Sequence, residues 1–331
     1  DGTLVGEPVE VACTQLTDFA DHNDPSADCA LLKCALVYLG ITPVDSMVGG
    51  KLTFVSQVFS NVKEACGLEI ITTSLLPLGS GMGTSSILAG CVLTSVAKCF
   101  GIKIVDLTQS VLELEQMLTT GGGWQDQVNG LVGGYKLASS EAHKFPLTTC
   151  VEHLDVSCVD MSKRLVLGFS GKTRLAKDIL KQVLERWALR KSEIMSAVSD
   201  LVEGAYQAYA AVECNDVAEL ASCLNRYWDL KKVMAGPGSG VEPEAVGILL
   251  SKLQLDKTIL GGSLCGAGGG GFLLVITAAN KTIDDVKVAA SLVKGAESFT
   301  WHTCEVSDEG VTTRVVDELP TTDSFELAWH E

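Results

Sequence analysis

Pro77-Leu-Gly79-Ser80-Gly81-Met82-Gly83-Thr84-Ser85-Ser86 stands between two apolar stretches. The one before it, Leu68 to Ser74, reads as a strand, and the one after it, Ile87 to Phe100, reads as a helix. A glycine-rich turn that opens onto a helix start exposes free backbone N–H groups at the positive end of the helix dipole, which is the arrangement that holds an anion. The spacing Gly79-x-Gly81-x-Gly83 is neither the dinucleotide pattern G-x-G-x-x-G nor a P-loop, and Gly168-Phe-Ser-Gly171-Lys172-Thr173 places its first glycine too close for a P-loop. By itself the turn is equally compatible with structural punctuation between strand and helix.

Two further stretches bear on that choice. Leu114-Glu115-Gln116 falls in a predicted helix from Asp106 to about Thr119, opened by a capping box at Asp106-x-x-Gln109. Gly121-Gly-Gly-Trp124-Gln125-Asp126-Gln127 follows, and its glycines break the helix so that Glu115 and Asp126 can face one cleft. Two carboxylates beside a phosphate loop suit a division of labour. One holds magnesium, a hard cation that takes few carboxylates and completes its shell with phosphate oxygens and water. The other orients an acceptor hydroxyl and takes its proton. The third stretch, Leu264-Cys-Gly266-Ala267-Gly268-Gly269-Gly270-Gly271-Phe272, runs into an apolar strand from Phe272 to Thr277. It has no Cβ to obstruct a ligand over four consecutive positions.

These three stations together resemble the GHMP family of small-molecule kinases. Within that family, Pro77 to Gly90, Leu118 to Gln127, Gly171-Lys-Thr-Arg-Leu-Ala176 and Gly266 to Phe272 are most similar to the L-fucokinase branch, and the similarity spans about Cys29 to Ser307. A heptose-phosphate kinase branch shares the Gly-Trp-Gln-Asp-Gln element. The resemblance implies an α+β fold of two domains with the ATP cleft between them. It also implies transfer of the ATP γ-phosphoryl group to the anomeric hydroxyl of L-fucose. Pro77, Gly79, Ser80, Gly81, Met82, Gly83, Thr84, Ser85 and Ser86 are then the nucleotide phosphate loop, supported by Gly266, Ala267, Gly268, Gly269 and Gly270. Ser85 and Glu115 become the Mg2+ ligands and Asp126 the residue set against the attacking hydroxyl. Trp124, Gln125, Lys172 and Arg174 are candidate sugar contacts.

The family's first motif, an Arg-rich strand with a Gly-Gly-Trp-x-Asp segment, has no counterpart here and the chain begins at Asp1. The expectation is therefore of a kinase region that starts inside its N-terminal domain. The alternatives are a kinase for another sugar, such as a heptose phosphate, or a sensor that binds nucleotide without transfer.

A net charge of −16 opposes nucleic acid or an anionic membrane as partner, since both require a basic face. No apolar run reaches the roughly 18 to 20 residues of a membrane span. The 12 cysteines contain no C-x-x-C pair and read as reduced, mostly buried thiols of a cytoplasmic protein. Asp18, Asp21, His22 and Asp24 read as a solvated loop, not a metal site. Trp187 and Trp228 read as core. Lys231 and Lys232 read as closing a helix and complementing its dipole, with a phosphate role the less favoured reading.

Further elements follow from periodicity: a strand at Glu10 to Gln15, helices at Ala27 to Leu39 and Phe54 to Ala65, and strands at Tyr135 to Ala138, Val151 to Cys158 and Leu165 to Phe169. Three helical segments fill Thr173 to Met234, with breaks near Arg190 and Asn215. A loop spans Gly236 to Gly240, and a strand, helix and strand close the chain. The domains are placed at 1–160 and 161–331.

Overall fold

The computed structural model describes residues 9–42, 67–77, 79–118, 122–144, 147–156, 159–171 and 176–316. Its first half is helical around the phosphate-loop candidate. α1 (Ala30–Tyr38), α2 (Thr84–Phe100), α3 (Leu107–Met117) and α4 (Gln125–Leu131) pack on one another. Leu93, Val111 and Leu114 are fully buried in the core they share. Removing such a side chain from water contributes roughly 1.5–3 kcal/mol each. Asp106 caps α3 by accepting the Gln109 N–H at 2.9 Å, but the Gln109 side chain donates to Glu113, so half of the expected capping box forms.

A hairpin of β1 (Lys136–Ser140) and β2 (Thr149–His153) leads, through the short helix α5 (Val159–Ser162), to β3 (Leu165–Phe169). The helices α6 (Ala176–Ala188), α7 (Ser192–Glu213) and α8 (Val217–Ala235) follow. The breaks between them fall at Arg190 and Asn215, both left-handed with φ of 53° and 51°, where the helical pattern predicted interruptions. α9 (Glu244–Leu255) and β4 (Ile259–Leu264) precede β5 (Phe272–Thr277), α10 (Ile283–Ser291) and β6 (Thr300–Thr303). Among the described residues, the larger sheet is antiparallel in the order β4-β5-β3-β6. Helices α9 and α10 pack with it around Leu249, Leu253, Leu264 and Leu273.

Several expectations change. Within the stretch Leu68 to Ser74 the burial alternates as in a strand only as far as Ile71, with Leu68 and Ile70 turned toward the core and Ile71 68% exposed, and among the described residues the stretch joins no ladder. Glu10 to Gln15 likewise forms only an isolated bridge at Gln15. Periodicity fixes which side chains face inward, whereas a strand also needs a partner for its N–H and C=O groups. Phe54 to Ala65 lies outside the described residues. Trp228 is core at 3% exposure, but Trp187 is 42% exposed and lies beneath the Arg190 guanidinium at 5.5 Å. The described cysteines are free and more often exposed or half-buried than buried. Asp21 pairs with the buried Lys33 at 2.7 Å, and His22 Nδ1 bonds the Phe19 carbonyl, so that acidic stretch holds the start of the fold together.

Candidate active site

α2 begins without a side-chain cap, directly after Gly83 in left-handed conformation at φ 65°. Its first N–H groups are therefore left for another acceptor. Ser80 is buried, its Oγ lies 3.2 Å from Thr84 Oγ1, and its N–H reaches the Pro77 carbonyl. Met82 is half-buried. The loop rests on the second glycine-rich stretch, backbone on backbone. The Phe272 N–H donates to the Ser80 carbonyl at 2.9 Å. A Cβ on Gly81 would come within 2.7 Å of the Cys265 carbonyl oxygen, and one on Gly266 within 2.7 Å of Gly81 Cα. A Cβ on Gly271 would collide with the Ser80 carbonyl. Gly268 is covered by Val241 and Trp228, and the Gly269 N–H donates to the Val241 carbonyl at 2.6 Å. Burial pushes the Cys265 thiol up to about 11, so it stays protonated within this packing.

The two carboxylates approach the loop from different helices. Glu115, on α3, is 7% exposed. Ser86 Oγ donates to its Oε1 at 2.8 Å, and Gln127 Nε2 donates to its Oε2. Burial raises its pKa, and the hydrogen bonds from Ser86 and Gln127 oppose that rise; the Asp126 charge adds to it and Ser85 opposes it. Asp126, in the first turn of α4, lies against the loop, its Cβ 3.4 Å from where a Cβ of Gly83 would be. The residue is exposed, yet the protein around its carboxyl displaces water and raises its pKa, against the Lys231 charge. Glu115 and Asp126 thus come within each other's field at the mouth of one loop, as their spacing predicts.

Gln127 is fully buried, and its Oε1 has no hydrogen-bond partner among the described residues. Its Oε1, the Glu115 carboxylate and the serine hydroxyls offer oxygen donors around a buried anionic centre. That chemistry fits a hard divalent cation sharing its shell with phosphate and water. Among the described residues no group of three or more His, Cys, Asp or Glu is arranged to hold a metal ion.

Trp124 precedes α4 and donates from Nε1 to Ser140 Oγ at 3.1 Å, which ties the start of α4 to β1. Gln125 is exposed beside Gly123. Lys172 and Arg174 lie outside the described residues. Three residues have partners at the site that the sequence reading did not assign: it placed Ser86 in the phosphate loop, Gln127 in the glycine turn and Lys231 at a helix end. Ser86 and Gln127 clamp Glu115, and the half-buried Lys231 of α8 donates from Nζ to the Gly266 carbonyl. For Gln127 the available signal was its position next to Asp126. Lys231 gave none beyond its place near a helix end, because its contact spans 35 residues.

Two family models match the chain: GHMP kinases N terminal domain over residues 53–134, and GHMP kinases C terminal over residues 205–291. The chain belongs to the GHMP kinase family. It is 31% identical over 264 residues to the L-fucokinase/L-fucose-1-P guanylyltransferase of Bacteroides fragilis, covering 78% of this chain and 27% of that protein. The chain thus spans about a quarter of the length of that relative. It is 26% identical over 246 residues to the D-glycero-alpha-D-manno-heptose 7-phosphate kinase of Campylobacter jejuni, covering 72% of this chain and 71% of the other. The GHMP architecture is matched by the crystal structure of Methanococcus jannaschii mevalonate kinase at a TM-score of 0.55 and 12% identity, over 87% of this chain and 80% of that one. No helix among the described residues is long and apolar enough to cross a membrane.

Proposed function

We propose that this chain is the kinase region of an L-fucokinase, transferring the γ-phosphoryl group of ATP to the anomeric hydroxyl of L-fucose. The reading places two domains at 1–160 and 161–331, in the cytoplasm, with the cleft of Pro77 to Ser86 and Gly266 to Gly270 holding the nucleotide. The observation that carries it is the Asp126 carboxylate lying against Gly83 of an uncapped, anion-ready helix start. An acceptor hydroxyl bonded to Asp126 stands next to the place where the loop amides hold a terminal phosphate. A new bond forms between the sugar oxygen and the γ-phosphorus while the bond from that phosphorus to the β-bridging oxygen breaks. Asp126 takes the hydroxyl proton, and ADP leaves with the bridging oxygen. Loop N–H groups stabilise charge on the group in transfer. Ser85 and Glu115 would hold Mg2+, which when bound draws charge from the phosphate oxygens.

The fucose assignment is supported by likeness to the Bacteroides fragilis protein; the sugar pocket is assigned to Trp124, Gln125, Lys172 and Arg174. The test is magnesium-dependent ADP release by this chain, and by a version extended upstream, across L-fucose, other monosaccharides and D-glycero-D-manno-heptose 7-phosphate. Turnover with L-fucose above all others is expected. Turnover with the heptose phosphate alone reassigns the substrate, and saturable ATP binding without transfer to any sugar makes the chain a sensor.

A further inference from the structure

The glycine loops and the turn that carries Asp126 bring no cationic side chain of their own. The stretches 79–86, 122–127 and 264–272 hold the phosphate-loop candidate, Asp126 and the supporting glycines, and not one Lys or Arg occurs in them. ATP brings several negative charges to a site that already contains Glu115 and Asp126, within a chain of net charge −16. Backbone amides and one divalent ion neutralise part of this. Phosphoryl transfer is otherwise served by a cationic side chain aimed at the terminal phosphate.

Lys231 is placed for that task. α8 carries it to the second glycine-rich stretch, where Nζ donates to the Gly266 carbonyl and lies 5.2 Å from the centre of the Tyr227 ring. Gly266 in turn packs on Gly81 of the first loop, and Gly83, two residues further, packs on Asp126. The ammonium is therefore held at the backbone on which the first loop packs, and that loop packs on the carboxylate. It acts on Asp126 across space without forming an ion pair with it, since no Lys231–Asp126 pair closes to 4.0 Å. Contact with the Gly266 carbonyl uses one of three ammonium donors and leaves two. Its neighbour Lys232 is engaged elsewhere, with Asp229 at 2.9 Å and Glu242 at 3.5 Å.

We propose that Lys231 is a catalytic residue of this site, whose ammonium, held by the Gly266 carbonyl and the Tyr227 ring, contacts the γ-phosphate of ATP between the glycine loops and Asp126. It recognises the terminal phosphate and carries part of its charge as the phosphoryl group moves. This rests on the kinase reading above.

Three variants separate that role from a structural one. Lys231→Gln keeps a donor for the Gly266 carbonyl and loses the charge, Lys231→Arg keeps the charge, and Lys232→Gln controls for lost charge on the same helix. The readouts are calorimetric affinities for ATP and ADP, which need no turnover, and kcat and KM for the sugar that the wild-type protein accepts. Lys231→Gln is expected to reduce the preference for ATP over ADP by about tenfold and kcat by about a hundredfold, the scale of losing one charged stabiliser. The sugar KM should hold, Lys231→Arg should recover most of both losses, and Lys232→Gln should resemble wild type. An unchanged ATP/ADP ratio in a folded Lys231→Gln protein overturns the proposal, as does an equal loss for ATP and ADP. If wild type binds ATP but phosphorylates no sugar, the kinase reading fails while the ATP/ADP ratio still decides the phosphate contact.

Discussion

Gln127 donates from Nε2 to the Glu115 carboxylate across two helices, while Ser86 of a third helix holds the other carboxylate oxygen at 2.8 Å. The carboxylate is therefore fixed at the start of α2 before any ligand arrives. A buried anion is costly unless it is paired or well hydrogen-bonded. Glu115 has the hydrogen bonds, and a divalent cation would add an opposite charge.

Magnesium binding should therefore follow the ionisation of Glu115. Burial raises the folded-state pKa above its ordinary value near 4.5, so the free protein bears a cost for the ionised carboxylate that is absent below that value and grows as pH rises through the folded pKa. A bound cation offsets that cost. Thermal melts with and without Mg2+ and a nucleotide should show a larger stabilisation at pH 8 than at pH 5. Equal shifts at both pH values, or a shift that survives in Glu115→Gln, would remove Glu115 from the metal site.

Ser86→Ala removes a donor from a buried carboxylate. A loss of about 1–3 kcal/mol in folding stability is expected at neutral pH, the cost of a hydrogen bond to a buried charge. Denaturation in urea measures it. The loss should shrink at acid pH, where Glu115 is protonated; a pH-independent loss would mean that Ser86 matters only for packing.

Asp126 must be ionised to accept a proton, and its pKa is raised by the protein that displaces water around it. Activity should be present above that raised pKa and fall as pH drops through it, placing the acid limb of kcat/KM above the ordinary aspartate range. Asp126→Asn should reduce kcat by about 10²- to 10⁴-fold, the range for a positioned general base, with ATP affinity within a few-fold of wild type. A pH–rate profile and nucleotide titration test both statements. Retained turnover in the Asn variant excludes Asp126 as the base.

Gly81 adopts φ 78°, and a Cβ there would lie 2.7 Å from the Cys265 carbonyl oxygen. Gly81→Ala combines left-handed strain with a backbone collision, so the two glycine stretches must part. ATP affinity should fall at least about tenfold, with about 1–3 kcal/mol lost in stability. Gly101→Ala, also at positive φ but facing open space, supplies the comparison. It should cost stability without changing ATP affinity, and similar ATP losses in both would deny the loop contact its role.

Lys257 adopts φ 54° in the turn between α9 and β4, where its side chain is exposed. Lys257→Gly should raise stability by up to about 1 kcal/mol, because relief of left-handed strain exceeds the added freedom of the unfolded chain. Destabilisation on chemical unfolding would mean that the Lys257 side chain makes a contribution its exposure conceals.

The sequence by itself determined the local grammar of this protein. Alternating glycines at 79, 81 and 83 permit a chain that turns through positive φ, and the apolar run after them reads as a helix, so a candidate anion-ready helix start was legible. The spacing of Glu115 and Asp126 around three glycines placed both carboxylates near it. Helix breaks at Arg190 and Asn215 were legible because periodicity stops there. Tertiary structure alone decided what needs a partner from far along the chain. Leu68 to Ile71 alternates as a strand does, but joins no ladder among the described residues. Asp106 and Gln109 have a capping box's residues but only half its bonds, because Glu113 competes for the Gln109 amide. Gln127 and Lys231 acquire their roles only when helices separated in sequence bring an amide to Glu115 and an ammonium to Gly266. Local propensity acts over a few residues, whereas a hydrogen bond or a charge acts through space between whichever groups packing brings together, and that is why the cleft's polar partners were hidden from the sequence.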